Sequence, residues 1–159
     1  MTTRCGYFLS SEEYPPQELV RQARLAEEAG FEALWISDHF HPWLDEQGQS
    51  GHVWSVIGAL SQATSLPITT MRRLWPTDEI PGEALQLLPL PRRVGQLAEL
   101  VTEDMISAPC GPDPAVHLAG IQAYRDAGFD EVYIGQAGPD AEGFFEFYGS
   151  QVLPRLRQG

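Results

Sequence analysis

A dense group of titratable and aromatic residues lies near the end of the first quarter of the chain, where the sequence reads SDHFHPW. Asp38 supplies a carboxylate, His39 and His41 supply imidazoles, and Trp43 supplies an indole. Histidine titrates near neutral pH, so an imidazole beside a cofactor ring or a substrate could accept or donate a proton. The His-x-His pair could also bring two imidazoles to one metal ion. These residue types therefore indicate acid–base chemistry first and metal-dependent hydrolysis second.

A structural interpretation without any function is open for the same residues. In that interpretation Asp38 caps a turn, His39 and His41 are solvated loop residues, and Trp43 packs beneath the loop. The metal interpretation has few further ligands to draw on, because the remaining imidazoles are those of His52 and His117. The sequence contains no lysine that could bridge a binuclear metal pair. We therefore assign no metal ligands.

The four residues before this group form a short apolar run, Ala33 to Ile36, with the sequence ALWI. The run follows a glycine that ends a helical pattern, which predicts a strand buried on both faces. Active sites of α/β folds lie at the carboxyl ends of parallel strands. The position of Asp38 and His39 directly after a predicted strand therefore favours the functional interpretation over the structural one.

The elements that must position this strand precede it. The apolar run Arg4 to Leu9 predicts a first strand, and Pro15-Pro16 then opens a helix at a position where proline is tolerated. Gly30 is expected to close that helix as a C-terminal cap. Strand, helix and strand in this order predict a βαβ unit with parallel strands and a right-handed crossover.

Further elements are predicted along the rest of the chain. They are a helix over Val53 to Thr64, an edge strand or connector over Leu66 to Thr70, short helical turns over Met71 to Leu90, a helix over Val94 to Val101, and a short strand over Met105 to Ala108. Asp113 and Pro114 predict the N-cap and first residue of another helix, which continues to Ala127. We expect its inner face to consist of Val116, Ala119, Ala123 and Ala127. A strand over Asp130 to Ile134 and an aromatic helix over Gly143 to Leu156 complete the chain.

Two segments far apart in the chain repeat one pattern. Ala29-Gly30-Phe31-Glu32 precedes the strand ALWI, and Ala127-Gly128-Phe129-Asp130 precedes the strand EVYI. Each pattern follows an amphipathic helix that opens at proline, as expected when successive βα units solve the same helix-to-strand turn. The predicted fold class is α/β, with parallel βα repeats in a truncated, barrel-like sheet of four or five strands.

Length and composition exclude several classes of protein. The 159 residues suffice for a single α/β domain but not for a complete eight-unit βα barrel, which needs about 250 residues. A formal net charge of −12 argues against nucleic acid and anionic membrane surfaces as partners. All ten basic residues are arginine, which excludes a Schiff-base or P-loop lysine. Two distant cysteines and the lack of a signal-peptide or membrane-spanning run predict a cytoplasmic location.

The sequence resembles a known family, the luciferase-like (bacterial luciferase superfamily) oxidoreductases that use the deazaflavin coenzyme F-420, and among them the branch that includes glucose-6-phosphate dehydrogenase. The segments similar to the opening of that family are Tyr7 to Pro16, Trp35 to Trp43 and Val53 to Thr64. Those similar to its C-terminal end are Leu74 to Pro81, Leu88 to Pro91, Pro109 to Pro114 and Ala127 to Phe145. The two ends meet near Ser65 to Met71. The part that the family has between them, about half a barrel, is absent, so residues 1–65 resemble the N-terminal barrel part and residues 71–159 the C-terminal part.

The resemblance implies an eight-stranded βα barrel fold, hydride transfer between a deazaflavin or flavin coenzyme and an organic substrate, and roles for three residues. Asp38 is expected to contact the coenzyme, His39 to act in hydride-transfer chemistry beside its ring, and Trp43 to line the site. The implied cofactor is F-420, with FMN as the alternative and no cofactor as a third possibility in so short a chain. A non-catalytic coenzyme-binding or interaction remnant of the family is the competing function, and a metal-dependent hydrolase is the third. Because half a barrel leaves unpaired edges, we expect the sheet either to close compactly or to pair in a homodimer.

Overall fold

The computed structural model describes residues 3–39, 42, 45–70, 102 and 108–158. The predicted helix over residues 94–101, the turns over 71–90 and all but the last residue of the predicted strand 105–108 lie outside these ranges. The strands are β1 (Arg4–Leu9), β2 (Ala33–Ile36), β3 (Ile68–Thr70) and β4 (Glu131–Ile134). The helices are α1 (Pro16–Ala29), α2 (Val53–Ala63), α3 (Pro114–Asp126), α4 (Ala141–Phe147) and α5 (Leu153–Leu156), with a π-helical turn (Tyr148–Val152) joining the last two. We call residues 141–156 the C-terminal helix.

The described strands form one parallel sheet with the order β3-β2-β1-β4. The predicted α/β class with parallel βα repeats is thereby confirmed. β1 pairs with β2 from Gly6 opposite Ala33 to Leu9 opposite Ile36, so both strands end at the same level. The last strand of the chain lies beside the first, which is the arrangement of strands in a closed barrel. The segment Leu66 to Thr70 does contain a strand, and it lies at one edge of the sheet that the described strands form, as its proline predicted.

Helix α1 begins and ends where the sequence predicted. Pro16 is its first residue, and Gly30 caps it in the left-handed conformation with a φ of 94°. The Gly30 N–H donates to the carbonyl oxygens of Ala26 and Glu27 and so satisfies the open end of the helix. A residue with a Cβ would be strained in that conformation. The turn therefore delivers the chain directly into β2.

The core lies between the helices and one face of the sheet. Tyr7 is 1% exposed, and its ring lies 4.8 Å from that of Phe145 and 5.6 Å from that of Phe31 (distances between centroids). The Tyr7 hydroxyl donates to the side-chain oxygen of Gln22 over 3.0 Å. Leu9, Leu34 and Ile36 are fully buried on the same face, together with Tyr148 and Val152 of the C-terminal helix. Phe145 and Tyr148 of that helix thus belong to the core.

The opposite face of the sheet carries a row of three partly exposed aromatic residues. Alternation along the strands places Phe8, Trp35 and Tyr133 there, and we call it the open face. The Trp35 ring lies 5.4 Å from Phe8 and 5.6 Å from Tyr133, between centroids. The Tyr133 ring also crosses Gly6, where an added Cβ would fall 2.3 Å from Cε1 of the tyrosine. The prediction that β2 is buried on both faces is therefore wrong at Trp35, which is partly exposed on the open face, while Leu34 and Ile36 are buried on the face that the helices cover.

The face of α3 that was predicted to be buried is exposed, so this prediction is wrong. Val116, Ala119, Ala123 and Ala127 are exposed, and the buried residues of the helix are His117 and Ile121. The reason is that both nitrogens of the His117 ring find partners inward, Nδ1 at 2.9 Å from the Tyr148 hydroxyl and Nε2 at 2.9 Å from the Gly111 carbonyl oxygen. A fully hydrogen-bonded imidazole can be buried, so this helix turns its histidine rather than its alanines towards the C-terminal helix. The predicted N-cap is confirmed, since the Asp113 side chain accepts from the Ala115 N–H over 2.9 Å.

The two cysteines differ in environment and should differ in reactivity. Cys110 is exposed, whereas burial raises the pKa of the Cys5 thiol to about 12. Because the thiolate is the reactive form, we expect a disulfide reagent at pH 8 to titrate Cys110 rapidly and Cys5 only after unfolding.

The folded state keeps the Cys5 proton where the unfolded chain loses it, so this residue contributes stability below pH 9 that is lost as the pH rises towards 12. Cys5→Ala should flatten that part of a melting-temperature profile, and rapid labelling of both thiols in native protein would contradict the assignment.

Within the described ranges, no helix has the length and apolar character needed to cross a membrane.

Candidate active site

The candidate site forms where two loops leave the same end of the sheet. The loop Ser10 to Glu12 follows β1, and the loop Ser37 to His39 follows β2. Because β1 and β2 are parallel and end in register, the two loops lie side by side at the carboxyl ends of their strands. The short strand β2 thus places the predicted residues at the edge of the sheet where α/β folds bind their ligands.

Serine side chains lock the two loops together. The Ser11 N–H donates to Oγ of Ser37 over 2.9 Å, and the Ser11 hydroxyl donates to the Ser37 carbonyl oxygen over 2.7 Å. The Ser37 hydroxyl lies 2.6 Å from a carboxylate oxygen of Glu12, to which it donates. Both serines are buried, so these bonds are shielded from water and hold the backbone at a fixed separation.

Glu12 is a buried carboxylate at the centre of this arrangement. It is 3% exposed and accepts hydrogen bonds from the hydroxyls of Ser37 and Ser10. Its other oxygen, Oε1, lies 2.6 Å from Nε2 of His39. A buried carboxylate is stable only when it is paired or hydrogen-bonded, and Glu12 meets both conditions. The carboxylate is therefore part of the built structure of the site.

The contact with Glu12 sets the chemistry that His39 can perform. When Glu12 is ionised, its oxygen accepts the Nε2–H, which fixes the tautomer and puts the proton-accepting lone pair on Nδ1. The negative charge also stabilises the imidazolium that forms when the ring takes up a proton. The His39 side chain is 21% exposed, so part of the ring is accessible from outside the protein. A carboxylate and an imidazole paired in this manner suit general base catalysis.

The other predicted residues are placed only in part. Asp38 follows Ser37 and is exposed at the mouth of the site. His41 and Trp43 lie outside the described residues, so the role of Trp43 stays a prediction. Glu12 was not among the residues predicted for the site. The signal was present, because the carboxyl ends of adjacent parallel strands meet, and Glu12 follows β1 as closely as His39 follows β2.

The open face beside the site contains an unusual polar atom. Nε1 of Trp35 is buried and has no hydrogen-bond partner. Every other buried side-chain nitrogen or oxygen of the described residues has a partner. A buried N–H without an acceptor costs about 1–3 kcal/mol. An oxygen of a ligand lying along Phe8 and Trp35 could accept this bond. The chemistry of the open face, aromatic rings with one donor, therefore fits a flat heteroaromatic coenzyme with carbonyl groups.

A metal centre finds no support in the described part of the chain. No group of three or more histidine, cysteine, aspartate or glutamate side chains comes together there. Of the residues that suggested a metal, His39 engages Glu12, and His117 is held by Tyr148 and Gly111.

Comparison with known proteins finds similarity in the half of the chain that contains this site. Residues 2–71 match the family described as luciferase-like monooxygenase. The F420-dependent glucose-6-phosphate dehydrogenase of Microbacterium testaceum is 39% identical over 74 residues, which are 46% of this chain and 22% of that protein. The F420-dependent hydroxymycolic acid dehydrogenase of Mycobacterium tuberculosis is 40% identical over 60 residues, which are 38% of this chain and 17% of that protein.

One solved structure is similar in part, an F420-dependent secondary alcohol dehydrogenase in complex with an F420-acetone adduct. It is 45% identical over 44% of this chain and 22% of its own, with a TM-score of 0.42. The matching segments of the curated relatives thus span about a fifth of their length. The family match ends at residue 71, where the sequence placed the junction between the two resembling parts.

Proposed function

We propose that this chain is an oxidoreductase that binds a deazaflavin, coenzyme F-420, at the carboxyl ends of β1 and β2. Both strands lie within residues 2–71, which match the luciferase-like family. Two of the relatives are named as F420-dependent dehydrogenases, one of glucose 6-phosphate and one of hydroxymycolic acid. The observation that carries the proposal is the Glu12–His39 pair, because it is a buried, oriented base at the end of the sheet where a coenzyme of this family is expected.

Dehydrogenation of an alcohol removes a hydride from carbon and a proton from oxygen. The deazaflavin, when bound, supplies the hydride acceptor. In our proposal Nδ1 of His39 accepts the hydroxyl proton, and Glu12 orients the ring and stabilises its protonated form. A base positioned in this way contributes about 10²- to 10⁴-fold to the rate. Trp43 is proposed to line the site and Asp38 to contact the coenzyme.

The charge of the chain favours a substrate that is not phosphorylated. Phosphate recognition uses lysine or arginine clusters, and the chain has no lysine and a net charge of −12. The ionisable side chains described at the site are Glu12, Asp38 and His39, which together offer no fixed positive charge. An uncharged hydroxylated substrate fits these surroundings better than a sugar phosphate.

Coenzyme binding is tested by titrating the purified chain into F-420 and following the coenzyme fluorescence. Asp38→Ala should weaken binding by about tenfold, since one lost hydrogen bond or charge contact of about 1.4 kcal/mol corresponds to that factor. The matched control is Asp130→Ala, which removes an exposed aspartate at the amino end of β4, the opposite end of the sheet. No change of fluorescence at high micromolar protein would exclude the coenzyme for this chain. Equal affinities of the two variants would remove Asp38 from the site.

A second candidate is a coenzyme-binding protein of the same family that does not catalyse turnover. The observation that favours it is the size of the described sheet, four parallel strands against the eight of a complete barrel. A site with one wall could retain affinity while failing to orient a substrate. Tight binding of F-420 without reduction by any member of a panel of primary and secondary alcohols would favour this candidate over the enzyme.

A further inference from the structure

We propose that two copies of this chain close one eight-stranded barrel, with α2 and β3 of each copy packing against α3 and β4 of the other. The inference concerns how the sheet is completed, and it holds whether or not the chain binds F-420. Its test is a measurement of mass and of complementation, which a failed coenzyme titration leaves untouched.

The strand order supplies the first argument. Within the described chain, β3 and β4 are the two edges of the sheet, and each has a paired neighbour on one side only. A twofold rotation about an axis parallel to the strands brings β3 of each copy beside β4 of the other copy. The dimer therefore has two equivalent junctions. All pairings made in this way are parallel, and the four described strands of each copy together give the eight of a closed βα barrel. Closure would remove both edges, which are otherwise sites of uncontrolled pairing.

Exposed apolar residues supply the second argument. Four large hydrophobic residues of the described chain are exposed, namely Trp54 (53%), Val116 (44%), Tyr124 (54%) and Phe129 (55%). Every one of them lies on α2, on α3, or in the turn that follows α3. Those two helices flank the two edges of the sheet, since α2 leads into β3 and α3 leads into β4. The exposed apolar surface is thus concentrated where the proposed junctions form.

Helix α2 has the composition of a helix that is covered on two sides. Its 11 residues contain no charged side chain, although 20% of the whole chain is charged. Val53, Val56 and Leu60 are buried, and the helix packs on α1. Its exposed positions include Trp54 and Gly58, spaced as one stripe, where a solvated helix would carry charges. Depletion of charge with an aromatic anchor is typical of the centre of an interface.

Helix α3 offers a surface that matches α2. Val116, Ala119, Ala123 and Ala127 recur at helical spacing, and all four are exposed. Small side chains allow close approach of a second helix, and the stripe of α2 offers a large residue, Trp54, beside a small one, Gly58. Both helices run from the carboxyl end of the sheet to its amino end, so Trp54 and Val116, each in the first turn of its helix, would lie at the same level.

Comparison of the two repeated segments shows that the turn after α3 lacks the helix that covers the turn after α1. Gly30 and Gly128 have nearly the same φ, 94° and 90°, and each is followed by a phenylalanine. Phe31 is 2% exposed, because the C-terminal helix, the neighbour that precedes α1 around the sheet, covers it with Phe144 and Tyr148. Phe129 is 55% exposed at the equivalent position. In the proposed dimer, the neighbour that precedes α3 is α2 of the other copy.

Among the described helices, α2 of the same copy cannot be that neighbour. α2 contacts α1, α1 contacts the C-terminal helix, and the C-terminal helix contacts α3. Packed helices lie about 8–10 Å apart, so two intervening helices separate α2 from α3 by roughly 25 Å. Pairing between copies also makes the two open faces line the interior of one barrel. Both Glu12–His39 pairs would then lie at the carboxyl end of that barrel. The proposed site would then have an opposing wall, which the described residues of a single copy do not provide.

The mass in solution is the first test. Light scattering of the full chain at about 50 μM should give twice the 17.6 kDa of one chain. Ala123→Glu and Trp54→Glu, one in each helix of the junction, should each give the mass of one chain with an unchanged far-ultraviolet circular dichroism spectrum. Gln17→Glu places the same charge on an exposed position of α1 and should leave the dimer intact. A wild-type monomer, or masses above a dimer, would overturn the proposal.

Mixing the two monomeric variants tests which surfaces meet. In a mixed dimer, one junction combines the altered α3 of the Ala123→Glu copy with the altered α2 of the Trp54→Glu copy. The other junction then combines an unaltered α2 with an unaltered α3. The mixture should therefore regain dimer at concentrations where each variant alone stays monomeric. A mixture that stays monomeric, or a dimer that only one of the two variants disrupts, would show that α2 and α3 are not opposed.

Discussion

Replacing His39 by alanine is expected to lower the rate of alcohol-dependent reduction of F-420 by about 10²- to 10⁴-fold, the range for loss of a positioned general base. Nε2 of this imidazole lies 2.6 Å from the buried Glu12 carboxylate, so the ring has one orientation and one basic nitrogen. The affinity for the coenzyme should change little, because the ring is proposed to handle the substrate proton. The rate is measured from the change in F-420 absorbance during a single turnover, with the alcohol that the wild-type chain oxidises fastest.

The Glu12→Gln variant separates positioning from a merely structural role. Glutamine keeps the size of the side chain and can still accept from the Ser37 hydroxyl, but it cannot supply the negative charge that stabilises the protonated ring. We expect the rate to fall by about tenfold or more and the limb of the pH–rate profile that reports His39 to move to lower pH. Since both residues act as a unit, Glu12→Gln should cost little further activity in the His39→Ala background. Additive losses, or an unmoved profile, would refute the positioning role.

The sequence predicted those parts of the fold that local signals determine. Pro16 and Gly30 mark the ends of α1 because each restricts or permits a particular backbone angle at its own position. Asp113 marks the start of α3 because its carboxylate reaches an N–H two residues away. The strand Ala33–Ile36 was predictable because a four-residue apolar run after such a glycine has few alternatives. These signals act over a few residues, so they can be read without knowing the neighbours in space.

The parts that escaped prediction depend on residues far apart in the chain. Glu12 became part of the site only through a contact with His39, across the registered ends of β1 and β2. The face that α3 buries was decided by the contact of His117 with Tyr148, 31 residues later. The periodicity of Val116, Ala119 and Ala123 led to the wrong inner face, because periodicity groups residues on one face of a helix but does not say whether a neighbour covers that face. The proposed dimer assigns that face a partner.

Replacing Tyr7 by alanine is expected to lower the free energy of unfolding by about 3–5 kcal/mol, the cost of removing a large aromatic side chain from a packed core. The ring of Tyr7 is 1% exposed and contacts Phe31, Phe144 and Phe145, so it joins β1 to both the turn before β2 and the C-terminal helix. Because those contacts come from distant parts of the chain, the surroundings cannot collapse into the cavity without moving the helix. Urea unfolding at fixed protein concentration gives the measurement.

The matched control is Tyr7→Phe, which keeps the ring and removes only the hydrogen bond to Gln22. That change should cost about 1 kcal/mol, the net value of one hydrogen bond, because the Gln22 oxygen loses its donor inside the core. It should also reduce the loss of stability at alkaline pH. Burial raises the pKa of the Tyr7 phenol, so the folded state keeps a proton that the unfolded chain releases above about pH 10, and stability falls as the pH rises. Equal losses from alanine and phenylalanine would mean that the hydrogen bond to Gln22 on α1, and not the packing of the ring, accounts for the stability that Tyr7 contributes.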